Sequence, residues 1–286
     1  MKKRNLVLSV MTTCLVSCFL LSGCNGQKQI DSETVKTVKV EEQAHLQDDT
    51  VSPTCQITID YSYLAKSDAA DSIAQRINRT IQAHVLGKEY IRMNPEVAVD
   101  SFKNTYINNY RKDVNEFYQE DIKNGTPKDE LPTWYNYEYG LTTYFSEGKE
   151  GILNFIAETF EYTGGAHPNS WNKWMNFEKN TGKLLALKDV FMAGSEKPMS
   201  DMLLEKLITE MATRLEDSSI TSLEGLQNAG ILNSTNMYVP DNFLLEKEKV
   251  SFLYNKYDIA PYAMGTIVLS LPYAEIEKYM IHQTNN

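Results

Sequence analysis

The chain is short of the residues from which most catalytic centres are built. It has four histidines in 286 residues, His45, His84, His167 and His282, and none has another three or four positions away. A helical His-Glu-x-x-His zinc site is therefore excluded, and any metal site would draw on ligands far apart in sequence. Gly182-Lys183 is followed by Leu184, so a phosphate-cradling loop lacks the hydroxyl that would hold magnesium. No Gly-x-Ser-x-Gly turn offers a nucleophile. Nothing in the motif content calls for a cofactor or a metal.

Cysteine is as scarce. Of four, Cys14 and Cys18 fall inside an apolar run over residues 6–21 that follows Lys2, Lys3 and Arg4. That run is short for a membrane span, which needs about 20 apolar residues. It ends in Leu21-Ser22-Gly23-Cys24, an order that resembles the bacterial lipobox. The resemblance implies a signal peptide over residues 1–23, cleavage before Cys24 and a diacylglycerol thioether on that cysteine. An uncleaved anchor or an ordinary signal peptide is the alternative. The expected address is the bacterial cell envelope, outside the cytoplasm, with Cys24 lipid holding the chain to a membrane. Cys55 then stands alone, so no disulfide framework can form within one mature chain and the fold rests on its own core.

Positive charge is also in deficit. The full chain carries a formal net charge of −10, and loss of residues 1–23, with three bases and no acids, takes it to −13. A surface this acidic argues against nucleic acid and anionic head groups and suits a basic partner, although solubility alone is the plainer account.

What is present reads as two α+β subdomains of similar size. Residues 24–50 are polar and charged and read as a flexible tether; Val35, Val38 and Val40 are its only hint of a strand. Cys55, Ile57, Ile59, Tyr61 and Tyr63 alternate with polar residues, the period of a half-buried strand, which makes Cys55 a small buried hydrophobe. Ile73, Ile77, Ile81 and Val85 line a helix, with Ser67 or Asp68 available as its cap and Gly87 as its end. Asn94-Pro95-Glu96 opens a second helix with the stripe Val99, Phe102, Tyr106, Tyr110, Val114, Phe117, closed by Asn124-Gly125. Strands follow at 134–145, 152–162 and 171–177, the first two joined as a hairpin. A helix with Met199, Leu203, Leu207, Met211 and Leu215 comes next, then strands at 243–245, 250–254 and 266–271 and a short helix after Pro272. Grouped elements indicate antiparallel sheets packed with helices. The expected units are residues 51–168 and 169–286.

Two segments have unusual composition. In the first, Glu161, Tyr162, Thr163, Gly164, Gly165, Ala166, His167 and Pro168 lead into Trp171. Paired glycines permit positive φ or close approach, and Pro168 stiffens the exit. His167 with Glu161 offers an acid/base pair, or the loop offers a recognition surface; packing is the simpler account. The second segment runs from Tyr254 through Tyr257, Asp258, Pro261 and Tyr262 to Gly265 and forms a compact loop between strands. Asp189 is a further carboxylate of interest.

At these segments the chain resembles a known family. Tyr162 to Pro168, Asn176-Phe177, Thr181-Gly182-Lys183 and Leu187 to Phe191 carry the likeness, as do Tyr254 to Gly265 and Leu271-Pro272-Tyr273. The family is the paired extracytoplasmic domains of unknown function of RsiV-type lysozyme-sensing anti-sigma factors and PdaC-type peptidoglycan deacetylases. The likeness spans about residues 51–280. It implies a binding module. In the deacetylases a separate domain with an Asp-His-His metal site does the chemistry; in the sensors the pair binds lysozyme and a membrane span leads to a cytoplasmic segment. The lipobox replaces span and segment here. The expectation is a lipid-anchored envelope binding protein without catalysis, its ligand a basic muramidase-like protein or a peptidoglycan fragment, with Tyr162, Thr163, Gly164, Gly165, His167, Pro168, Tyr257, Asp258, Pro261 and Tyr262 as binding residues. An envelope hydrolase using Glu161, His167 or Asp189 is the alternative, and a purely structural lipoprotein a third.

Overall fold

A computed structural model describes residues 35–65 and 72–281; Cys24, the expected signal peptide over residues 1–23 and the candidate caps Ser67 and Asp68 lie outside the described residues. The first element is β1 (Val35–His45), which pairs antiparallel with β2 (Thr54–Leu64) along its whole length. This corrects the reading of residues 24–50 as tether throughout. β1 is an edge strand whose valines rest partly on the core and whose Ala44 is buried in it, while Lys36, Thr37, Lys39, Glu41 and Gln43 face water, so it needs no strong apolar alternation. β2 shows the expected alternation, with Cys55, Ile57, Ile59 and Tyr61 all buried.

Next come α1 (Ile73–Val85) and α2 (Pro95–Lys123). Ser72 caps α1, its side chain accepting from the Gln75 N–H. Asn94 caps α2 in the same way through the Glu96 N–H, with Pro95 in the first turn. The α2 stripe departs from expectation at its end. Tyr110 and Val114 are buried and Tyr118 continues them in steps of four, which swings Phe117 to the surface at 52% exposure.

The hairpin of β3 (Tyr137–Glu147) and β4 (Ile152–Tyr162) follows, then β5 (Asn169–Glu178). The five strands form one sheet in order β1-β2-β3-β4-β5. Every neighbouring pair is antiparallel except β2 and β3, which run parallel. The α+β architecture of largely antiparallel sheets is as expected, and the one parallel pair is accommodated because α1 and α2 provide the long connection that it requires. The expected boundary at residue 168 falls between β4 and β5, two paired strands of this sheet.

Beyond it lie α3 (Leu187–Val190), α4 (Glu196–Arg214), α5 (Leu223–Asn228), β6 (Phe243–Leu245), β7 (Lys249–Tyr254), β8 (Ile267–Pro272) and α6 (Tyr273–Ile276). β6, β7 and β8 make an antiparallel sheet. α5 escaped sequence reading; Ser222 caps it and Leu226 alone anchors it in the core. The architecture is α+β with two hydrophobic cores, one around β2 and α2 and the other around α4, β7 and β8.

Asparagine side chains join the two sheets. Asn176 on β5 donates to the Phe243 carbonyl and accepts from the Leu245 N–H of β6, both at 2.8 Å. Asn242 accepts from the Trp174 N–H at 2.7 Å and donates to the Asn172 carbonyl at 2.8 Å. Asn255 holds Asn172 at both its N–H, 2.7 Å, and its carbonyl, 3.1 Å. An outer edge that would otherwise present bare backbone is thus satisfied by side chains.

Cys55 is fully buried, and burial pushes its thiol up to about 12. At pH 8 it is expected to stay unmodified by a thiol-alkylating reagent in the native protein and to react once guanidinium unfolds the chain. Mass spectrometry of the Cys55 peptide reads the difference; native labelling at the unfolded rate would show that this strand opens readily.

Candidate binding surface

The loop after β4 begins at Tyr162, whose hydroxyl donates to the Gly165 carbonyl at 3.1 Å. Gly164 and Gly165 take φ of +83° and +110°, values open chiefly to glycine. At Gly164 there is a second reason. A Cβ there would lie 2.9 Å from the Trp134 carbonyl oxygen and 3.3 Å from the Trp134 Cβ, so the loop passes directly over that residue. His167 and Pro168 then lead into β5.

The second loop follows β7. The Asp258 carboxylate accepts from the Asn255 N–H at 2.7 Å and folds the chain back on itself. Ile259 and Ala260 are buried and fix the loop to the second core. Pro261 starts a single tight turn at Tyr262–Met264, and Gly265 ends it at φ +67°. Tyr257 sits at φ +71°, rare for a bulky L-residue, and is 60% exposed.

The two loops meet. Tyr262 donates to the Pro168 carbonyl at 2.9 Å, and the His167 ring stacks on Tyr262 with centroids 4.0 Å apart and planes 25° off parallel. His167 Nδ1 lies 3.1 Å from the Pro168 carbonyl, which can only accept, so Nδ1 carries a proton. In the neutral ring Nε2 then accepts from the Tyr257 hydroxyl, 3.2 Å away. Lys256 Nζ rests 4.3 Å from the Tyr262 centroid, within cation–π range. Sequence-predicted residues Gly164, Gly165, His167, Pro168, Tyr257, Asp258, Pro261 and Tyr262 therefore belong to one junction, with Tyr162 and Thr163 at its entry.

The carboxylates named for a hydrolase do not join them. Glu161 accepts from Tyr106 at 2.9 Å; burial first, then the Glu161 charge, hold the Tyr106 proton on its oxygen. Asp189 binds Lys183 at 2.6 Å and accepts from the Ala186 N–H at 2.9 Å; the Lys183 bond, then the backbone bond, keep its carboxyl below the usual range. Both partners of His167 are non-carboxylate oxygens. Among the described residues no group of three or more His, Cys, Asp or Glu is placed to hold a metal, and no helix is long and apolar enough to cross a membrane.

Two aromatic residues extend the surface beyond what sequence reading gave. Trp134, under Gly164, is 38% exposed, and Phe117 meets it edge-on at 5.8 Å. Of the five exposed Phe, Tyr and Trp side chains among the described residues, Phe117, Trp134 and Tyr257 flank the 163–168 loop. Scattered exposed apolar groups need no explanation, whereas a cluster does.

A family model for a protein of unknown function, DUF3298, matches residues 188–274, and one named deacetylase PdaC matches residues 50–170. A crystal structure of a DUF3298 family member from Bacteroides fragilis is 30% identical, with a TM-score of 0.77 over 87% of this chain and 93% of that one. The chain belongs to the DUF3298 family. A DUF3298 protein from Pseudomonas aeruginosa, 15% identical with a TM-score of 0.57 over 88% of this chain and 97% of that one, shares the fold. Among curated proteins none matches. The DUF3298 match covers the second loop, and the PdaC match ends at residue 170, just past the first. The junction described above thus brings together residues from the two matched segments.

Proposed function

We propose that this DUF3298 protein is a binding protein of the cell envelope, held to a membrane by lipid on Cys24, which presents the two-loop surface to its ligand. The observation that carries this reading is the His167–Tyr262 stack, which joins the loops and leaves Tyr257 projecting into solvent. Exposed tyrosine and tryptophan beside a rigid backbone are the usual anchors of protein recognition. The net charge of −13 without the leader favours a basic protein, and a muramidase-like enzyme is the ligand that fits the family resemblance. The flat exposed rings also suit a peptidoglycan fragment, the second reading.

Titration calorimetry of the purified chain against lysozyme and against muropeptides tests both. Heat with lysozyme alone supports the first ligand, heat with muropeptides alone the second, and silence with both at high concentration removes both. Tyr257→Gly adds a sharper test. Glycine occupies φ +71° without the steric penalty that tyrosine bears there, about 1–2 kcal/mol, offset in part by its greater unfolded-state entropy. The thermal midpoint is expected to stay within a few degrees while affinity falls about 30-fold, the mark of a lost anchor. A midpoint that falls together with affinity would make Tyr257 a structural residue.

A further inference from the structure

Each sheet has one edge turned toward the other, and the β5 edge is bonded by the side chains of Asn242 and Asn255. The opposite edge of the larger sheet is β1, eleven residues long, paired with β2 on one side. Among the described residues, backbone bonding from outside that pairing reaches only its last carbonyl, at His45, through Arg111. A long open edge invites another strand unless its charges forbid it. Here the charges forbid some registers and favour one.

Thr37, Lys39, Glu41 and Gln43 lie on the open face of β1, where Thr37 meets Ser62 and Lys39 meets Asp60. Val38 and Val40 pack toward the core, and Glu42 reaches Lys103 on α2. In an antiparallel pair, residues directly opposite share a face, so a two-fold axis perpendicular to the sheet must pass midway between one residue of β1 and its own copy. Placing it at Lys39 sets Lys39 against its own copy, and placing it at Glu41 does the same for glutamate. Placing it at Val40 sets Lys39 opposite Glu41 twice and Thr37 opposite Gln43 twice. Val40 is also the midpoint of Val35–His45, so this register alone overlaps all eleven residues. Opposite charges across a strand pair stabilise it and like charges destabilise it.

We propose that two copies of this chain pair edge to edge through β1, with Val40 facing its own copy across the two-fold axis, to form one ten-stranded sheet. The contact is isologous and uses up the β1 edge of each copy; with β5 bonded by side chains, the assembly closes as a dimer. The proposal stands apart from the ligand reading, because β1 contributes no residue to the two-loop surface.

Sedimentation of the full chain in mild detergent, over a range of concentrations, tests it with three variants. Lys39→Glu and Glu41→Lys each place two like-charged pairs at the axis and are expected to weaken the dimer at least about tenfold. The double variant Lys39→Glu/Glu41→Lys restores both pairs with reversed sign and is expected to recover dimerisation. Because both side chains are exposed, circular dichroism is expected to show all three folded. A wild-type chain that stays monomeric throughout overturns the proposal. So does a dimer that the single exchanges leave unchanged, or one that the double exchange fails to rescue.

Discussion

Asn176→Ala is expected to lower the stability of the protein by about 2–4 kcal/mol, the largest effect of any polar substitution at the junction of the sheets. Asn176 is 1% exposed, and its amide makes both a donor and an acceptor bond to β6. Alanine removes both bonds and leaves the Phe243 carbonyl and the Leu245 N–H buried without partners. Each stranded group costs about 1–3 kcal/mol, far more than an exposed hydrogen bond contributes. Asn176→Asp serves as a second probe, since a carboxylate can accept from Leu245 but cannot donate to Phe243 and also buries a charge. Urea unfolding followed by far-ultraviolet circular dichroism gives the measurement. A fall in midpoint with an unchanged slope means that both subdomains still unfold together. A split into two transitions means that Asn176 couples them. A loss below about 0.5 kcal/mol, the level of an ordinary surface change, would show that the two bonds do not hold the junction.

Gly164→Ala is expected to cost about 2–3 kcal/mol and to abolish ligand binding by shifting the loop off Trp134. A non-glycine residue at φ +83° bears about 1–3 kcal/mol of strain. The new methyl group would also lie 2.9 Å from the Trp134 carbonyl oxygen, which is backbone and cannot rotate away. Gly165→Ala is the built-in control. It carries similar strain at φ +110°, but its Cβ meets nothing within 4 Å. The excess loss at Gly164 over Gly165, read from thermal midpoints, isolates the close approach to Trp134. Equal losses would place the whole effect in backbone strain and leave Trp134 out of the site.

Much of this was legible in the chain. The caps at Asn94 and Pro95, the alternation of Cys55 to Tyr63 and the hairpin before Tyr162 rest on local physics, and the structure repeats them. The two loops stood out because glycine pairs and Tyr-Pro clusters are rare in ordinary connections. β1 was obscured because an edge strand buries little, so its charged residues read as tether. Phe117 was misplaced by one position of helical phase, since steps of four from Tyr110 lead to Tyr118. The parallel pairing of β2 with β3 leaves no mark on either strand. The meeting of the loops was hidden for a different reason. It is set by Asn172, Asn242 and Asn255, which are far apart in sequence and individually look like residues of any loop.

The seam between the two sheets has a genetic consequence. A ladder of backbone bonds is indifferent to sequence, because nearly any residue supplies the same amide. The seam here runs largely through the side chains of Asn176, Asn242 and Asn255 and the peptide groups they hold, among them that of Asn172, so its strength is written in a few codons. Single-base changes can loosen it, or alter the angle between the halves, without disturbing either core. Relatives that keep both folds are then free to diverge in how their two loops face each other, and so in what the combined surface admits.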